Sequence, residues 1–261
     1  MMPHENLVNY CYENYDRPRR CDDCPNDPCF DNCGLCLDYI HRVGTHDRTY
    51  NCGNIIKYYT CKYIYRYSTE IEYLLNRYTR AFRNVRNVRI WSIGCGPCTE
   101  LFGLYRFRNN NDLNFTIQYK GFELNELWTP IHDFIHQMDC FETEFYIQDV
   151  FDYIKSNNEH PHIIILNYLL SDILRTNRDY IDKFINNLCD WYAPMINTFL
   201  IINDINLGQN DCEARYYYNI IVQKIKDLKG VKSLRIVKKF HFANSQSDYY
   251  KYGDLHSNNQ V

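Results

Sequence analysis

Arg89-Ile90-Trp91-Ser92-Ile93-Gly94-Cys95-Gly96-Pro97-Cys98-Thr99-Glu100-Leu101 is the stretch on which the fold turns. Its first five residues are mostly apolar, too few for a helix, and stop at a glycine turn, so they read as a buried strand. Gly94 and Gly96 let the backbone turn sharply and let a ligand come close. A helix from about Thr99 to Arg106 follows, and the start of a helix offers unpaired N–H groups. Strand, glycine turn and helix in that order open a nucleotide-type α/β unit.

Outward from this stretch the pattern repeats its alternation. Further strands are expected over Ile117 to Phe122 (ending on Glu123), Phe145 to Gln148 (ending on Asp149), His162 to Leu166, Phe199 to Asn203 and Leu234 to Phe242. Between them lie helical stretches over about Glu126 to Met138, a short one through Tyr153, then Ser171 to Cys189 and Glu213 to Leu228. Strands alternating with helices imply right-handed crossovers, hence a Rossmann-like, mainly parallel sheet with helices on both faces. No internal repeat is visible.

Upstream the chain changes character. Thirteen cysteines are unevenly spread, and eight of them precede residue 62. Residues 1 to about 48 show little apolar periodicity and need cross-links, a metal or docking on the main domain to fold. From Cys52 to about Phe82, Ile55, Ile56, Tyr59, Tyr63, Ile64, Tyr67, Ile71, Leu74, Leu75 and Tyr78 recur at helical steps, predicting one long amphipathic helix or a pair. The expected organisation is a cysteine-rich and helical amino-terminal module over 1–86, an α/β domain over 87–244 and a polar tail over 245–261.

Within the module, Cys21, Cys24, Cys29, Cys33 and Cys36 place five thiols in a short run. Two C-x2-C pairs suit tetrahedral zinc, with an iron–sulfur cluster as the alternative and disulfides as a third reading. Such a knot would dock a substrate or simply fold the amino terminus; Tyr10, Tyr12, Tyr15, Arg17, Arg19 and Arg20 precede it.

Composition excludes some classes. Apolar residues make up 45% of the 261, enough for a core, and the net charge of -3 argues against whole-molecule attraction to nucleic acid. The arginines at 77, 80, 83, 86 and 89 drift round a helix and read as a solvated face before a local basic patch. No run approaches the roughly 18 apolar residues of a membrane span, and the polar amino terminus is no secretory signal, so a cytoplasmic protein is expected.

The glycine turn alone fits any adenosine cofactor. Thr99 stands where the dinucleotide fingerprint wants its third glycine, which disfavours a nicotinamide-dependent oxidoreductase. Glu123 closes the second strand, where a carboxylate can accept both ribose hydroxyls. Asp149, with Val150 and Phe151 after it, closes the third, where a carboxylate beside an apolar clamp suits the amine and face of adenine.

On IWSIGCGPCTEL, GFEL, QDVF and IIILNYLLSD the sequence resembles the class I S-adenosylmethionine-dependent methyltransferases over about residues 87 to 242. The resemblance implies that the loop of Gly94, Cys95 and Gly96 lies against the amino-acid part of S-adenosylmethionine, that Glu123 binds ribose, and that Asp149 with Val150 binds adenine. The family usually has an acid where this chain has Ser92, which could reach the cofactor amino group without charge, and often has glycine where it has Cys98. Asn-Tyr-Leu-Leu-Ser-Asp is also similar to a strand end in a methyltransferase-like family tied to small ribosomal subunit assembly.

At the fourth strand end, Asn167 would orient a substrate atom and Tyr168 would stack on it. The two prolines that follow this Asn in enzymes methylating exocyclic amines are absent. Ser171 and Asp172 read as helix caps, with Asp172 a base as the second option. The function expected is methyl transfer to an RNA, protein or small-molecule acceptor, the alternative being a non-catalytic cofactor-binding or assembly protein of the same fold.

Overall fold

A computed structural model of the chain describes residues 2–15, 32–41, 49–195, 198–204 and 213–229. Cys21, Cys24, Cys29, the expected strand over Leu234 to Phe242 and the tail 245–261 lie outside the described residues. Five strands form one sheet: β1 (Asn87–Ile93), β2 (Thr116–Glu123), β3 (Glu142–Ile147), β4 (Ile163–Asn167) and β5 (Phe199–Asn203). Their order is β3-β2-β1-β4-β5 and every pairing is parallel. The chain therefore winds one way through β2 and β3, then crosses back to lay β4 beside β1. That reversal opens a crevice at the carboxyl ends of β1 and β4, the place where open parallel sheets bind ligands. The fold is α/β and Rossmann-like.

Helices cover both faces. On one side run α1 (Pro3–Glu13), α3 (Gly53–Asn76), the short α4 (Thr79–Phe82), α5 (Thr99–Asn110) and α6 (Thr129–His136); α2 (Cys33–Ile40) packs on α3. On the other run α7 (Val150–Ser156), α8 (Leu169–Thr176), α9 (Ile181–Tyr192) and α10 (Glu213–Lys229). Alternate residues of β1 serve the two sides. Val88 and Ile90 enter the core beneath α3 and α5, while Trp91 and Ile93 enter the core beneath α8 and α9. This strict division is what a period-2 strand buried on both faces produces.

The amino-terminal helices share the first core. Leu7, Val8 and Cys11 of α1, with Ile56, Ile64 and Ile71 of α3, belong to one continuous apolar cluster with Val88, Leu101, Phe102 and Ile165. α3 lies directly on α5. Gly103 makes this approach possible, since a Cβ there would sit 2.5 Å from the Ser68 carbonyl oxygen. Arg106 reaches back to Glu72 at 2.7 Å and pins the pair at its rim.

Two segments differ from the sequence reading. α1 forms although residues 1–48 look aperiodic. Leu7, Val8 and Cys11 suffice for one buried stripe, and Pro3 opens the first turn, where its missing N–H costs nothing. The expected helix from Ser171 to Cys189 is two helices: α8 ends at Thr176, Asn177 takes an extended φ of -151°, and a 3-10 turn (Arg178–Tyr180) leads into α9. The stretch 52–82 is a pair of helices, one long and one short, as its spacing allows. No helix among the described residues is long and apolar enough to cross a membrane.

Candidate functional site at the strand ends

The glycine turn sits at the end of β1 as the sequence suggests. Gly94 and Gly96 have φ of +65° and +46°, the left-handed region, and a Cβ on Gly94 would also strike Leu169 at 2.5 Å. The amides of Gly94 and Cys95 both donate to the Phe122 carbonyl, at 2.8 and 3.1 Å, which anchors the turn to β2. Gly96 N–H donates to the Glu123 carboxylate at 3.0 Å. The other oxygen of that carboxylate accepts from Leu124 N–H at 2.9 Å and Asn125 N–H at 3.0 Å. Burial pushes the Glu123 pKa up, although these three amides pull against it. Leu124, immediately after the acid, leaves 71% of its surface exposed, and Ile147, its strand neighbour in register with Glu123, leaves 44%. Two bare apolar side chains thus flank one carboxylate at the site rim.

Asp149 follows β3 and is the N-cap of α7, accepting from Phe151 N–H at 2.8 Å. Its second oxygen accepts from the Tyr180 hydroxyl at 3.0 Å. Burial and this carboxylate push Tyr180 up to about 12. Val150 is buried behind the cap.

Ser92 is buried on β1, facing away from solvent. Near it lies Glu100, in the first turn of α5, which is 1% exposed. It accepts from the Tyr119 hydroxyl at 2.5 Å and lies near Thr99 at 3.4 Å. Ser92 makes no hydrogen bond of ordinary length, yet stands close enough to the Glu100 carboxyl to steady its charge. Burial outweighs these partners and raises the Glu100 pKa.

At the end of β4, Asn167 and Tyr168 are already committed to neighbours. Asn167 donates to Thr99 Oγ1 at 2.9 Å and accepts from Asn203 at the end of β5, also at 2.9 Å. Tyr168 adopts a left-handed φ of +58°. Its hydroxyl donates to Glu70 of α3 at 2.8 Å, and Asn203 donates to the same oxygen at 2.8 Å. The Tyr168 ring stacks on Tyr67 with centroids 4.0 Å apart. Tyr67 continues along α3 into Tyr63 and Tyr59, which meets Tyr50 and Trp128, so an aromatic shelf borders the crevice. Ser171 and Asp172 are not caps. α8 begins at Leu169, the Ser171 N–H is satisfied by Asp204 at 3.0 Å, and Asp172 is paired with Arg175.

At the glycine turn, Cys95 and Cys98 meet His132 of α6. His132 Nε2 lies 2.8 Å from the Gly96 carbonyl oxygen and 3.7 Å from Cys95 Sγ. The sequence carried a signal for it: Trp128, Ile131, His132 and Ile135 are spaced as one buried helix face, on which a histidine stands out. Glu70, Glu100 and Asn203 had no such signal. Cys33 and Cys36 are buried on α2, one turn apart. The described cysteines form no disulfide.

No protein-family model matches the chain. No curated protein matches it either. Among solved structures it is similar to the plantazolicin methyltransferase BpumL in complex with SAH, at a TM-score of 0.40 and 16% identity over 66% of this chain. The match spans 65% of that protein's chain, less than two thirds.

Proposed function

We propose that the chain is an S-adenosylmethionine-dependent methyltransferase acting on an RNA, protein or small-molecule acceptor. The observation that carries the reading is the row of strand-end groups on β1, β2 and β3: a glycine turn with two left-handed glycines, Glu123 hydrogen-bonded to it, and Asp149 on the adjacent strand. The groups fit that cofactor. Glu123 suits two ribose hydroxyls, Leu124 and Ile147 offer apolar surface to a purine, and Asp149 with Val150 suits the adenine amine. Gly94, Cys95 and Gly96 would lie along the amino-acid portion, and Ser92 with Glu100 stands behind them.

S-adenosylmethionine supplies a methyl group already activated by its sulfonium. The protein's task is then to align an acceptor atom and remove any proton it carries. Asn167, through its side-chain amide, would orient an acceptor nitrogen or oxygen, and Tyr168 would support it by stacking. The five cysteines Cys21, Cys24, Cys29, Cys33 and Cys36 are proposed to hold zinc, or an iron–sulfur cluster, and so to order the amino-terminal segment beside α3.

A second reading rests on one feature. Asn167 and Tyr168 are both hydrogen-bonded inward, to Thr99 and Glu70, as suits a cofactor-binding or assembly protein that transfers nothing. Native mass spectrometry of the purified chain, followed by transfer of a labelled methyl group to fractionated RNA, protein and metabolite pools, separates the two. Retained cofactor with label in one pool supports the enzyme; retained cofactor without transfer supports the binding protein. Binding of a nicotinamide cofactor in its place overturns both.

A further inference from the structure

Cys95, Cys98 and His132 bring two sulfurs and one imidazole nitrogen within 4.8 Å of one another, and no other such trio of metal-ligating groups occurs among the described residues. All three are enclosed, at 3%, 0% and 2% exposure. We propose that they form a binding site for a soft divalent cation, zinc being the physiological candidate, which clamps the glycine turn to α6. The inference concerns these three residues and does not require that methyl transfer occur.

Distances favour it. With Zn–S near 2.3 Å and Zn–N near 2.0–2.1 Å, sulfur and nitrogen ligands of one tetrahedral ion stand about 3.6 Å apart; Cys95 Sγ and His132 Nε2 are 3.7 Å apart. The Gly96 carbonyl oxygen accepts from Nε2 at 2.8 Å and from Cys98 Sγ at 3.7 Å, and an entering cation would replace the protons of both hydrogen bonds. Both polar contacts of the imidazole converge on Nε2, and Nδ1 has no partner. Space is kept open by Gly121, where a Cβ would come 2.8 Å from Cys95 Sγ. Cys98 accepts a left-handed φ of 57°, which is unfavourable for a side chain, and in that conformation its sulfur lies with the other two donors.

The charges close. Two thiols lose their protons to solvent as the dication enters, and the imidazole binds as the neutral base. The centre of one M²⁺ and two thiolates is then neutral. Burying two bare thiolates near Glu100 would be costly, since burial pushes both thiol pKa values up. Thiolate and imidazole ligands select zinc over magnesium or calcium. An enclosed site of this kind loads as the chain folds.

The test is a count of metal by native mass spectrometry on the full-length, reduced protein refolded with zinc chloride. Wild type is compared with Cys98→Gly and His132→Gln, so that any metal on the amino-terminal cysteines cancels. Each variant should carry one equivalent less than wild type, and the cobalt-loaded variants should lose a matching part of the thiolate charge-transfer absorption that cobalt-loaded wild type shows. Should a variant fail to fold, wild type still decides: under mild urea, alkylation of Cys95 and Cys98, read peptide by peptide, should slow at least tenfold with zinc relative to chelator. Equal metal in all three proteins, an unchanged alkylation rate, or a Cys95–Cys98 disulfide in the native reduced chain overturns the site.

Discussion

Glu100 shows how much one side chain can alter the reading of a motif. Ser92 of the motif lies beside the carboxyl of Glu100, eight residues on, under the same turn. Because Glu100 is buried, its folded pKa stands above the ordinary value of 4.5. The protonated form is thus favoured in the folded state, and its contribution is fully present below about pH 4.5 and is lost as pH rises through the folded value. Glu100→Gln removes that loss and keeps an acceptor for Tyr119. In urea titrations from pH 4 to pH 8, the variant should gain stability relative to wild type as pH rises past 4.5, then level off; a gap independent of pH would mean that the carboxyl does not titrate this way. Glu100 is plain in the sequence TEL, but its burial is not, because burial depends on Tyr119 arriving from another strand.

At the scale of elements, α3 and α5 set the tightest contact. Gly103→Ala would gain roughly 1 kcal/mol in helix propensity. It would also press a methyl against the Ser68 carbonyl oxygen, 2.5 Å away, and Ile71, 2.9 Å away. Those atoms are a helix backbone and a β-branched carbon, so they yield little, and overpacking of this kind costs about 1–3 kcal/mol. A net destabilisation of about 0–2 kcal/mol is expected, read from the urea midpoint; a more stable variant would show that the helices part easily. The strands were the most legible elements, since IIILN and FLIIN are short apolar runs closed by turn residues. Helix ends were less so. Nothing local distinguishes Asn177 from a residue inside one helix, and the three apolar positions of α1 gain meaning only against α3.

For the whole molecule, Glu70 ties the amino-terminal helices to the sheet. It is buried on α3, yet it accepts from Tyr168 after β4 and from Asn203 on β5, the latter 133 residues away. A contact over that span leaves no trace in local pattern, which is why Asn167 and Tyr168 were legible as strand-end residues while their supporting network was not. Glu70→Ala leaves two buried donors short of an acceptor, at about 1–3 kcal/mol each, partly offset because Asn203 keeps Asn167. A loss of about 2–4 kcal/mol in denaturant unfolding is expected, with Glu70→Gln milder; no loss would mean that α3 is not braced on the strand ends.

The site depends on that frame, because the glycine turn, Glu123 and Asp149 converge only when β1, β2 and β3 lie in register. Calorimetric titration of the whole chain with S-adenosylhomocysteine, run beside Glu123→Ala and beside a nicotinamide dinucleotide, tests cofactor binding at these strand ends. Wild type should bind one equivalent, and removing the Glu123 carboxylate should weaken binding tenfold or more, as expected for hydrogen bonds to a charged group worth about 1.5–3 kcal/mol. The dinucleotide should give no heat. Absence of S-adenosylhomocysteine binding by folded wild type, or equal binding by Glu123→Ala, would contradict the account.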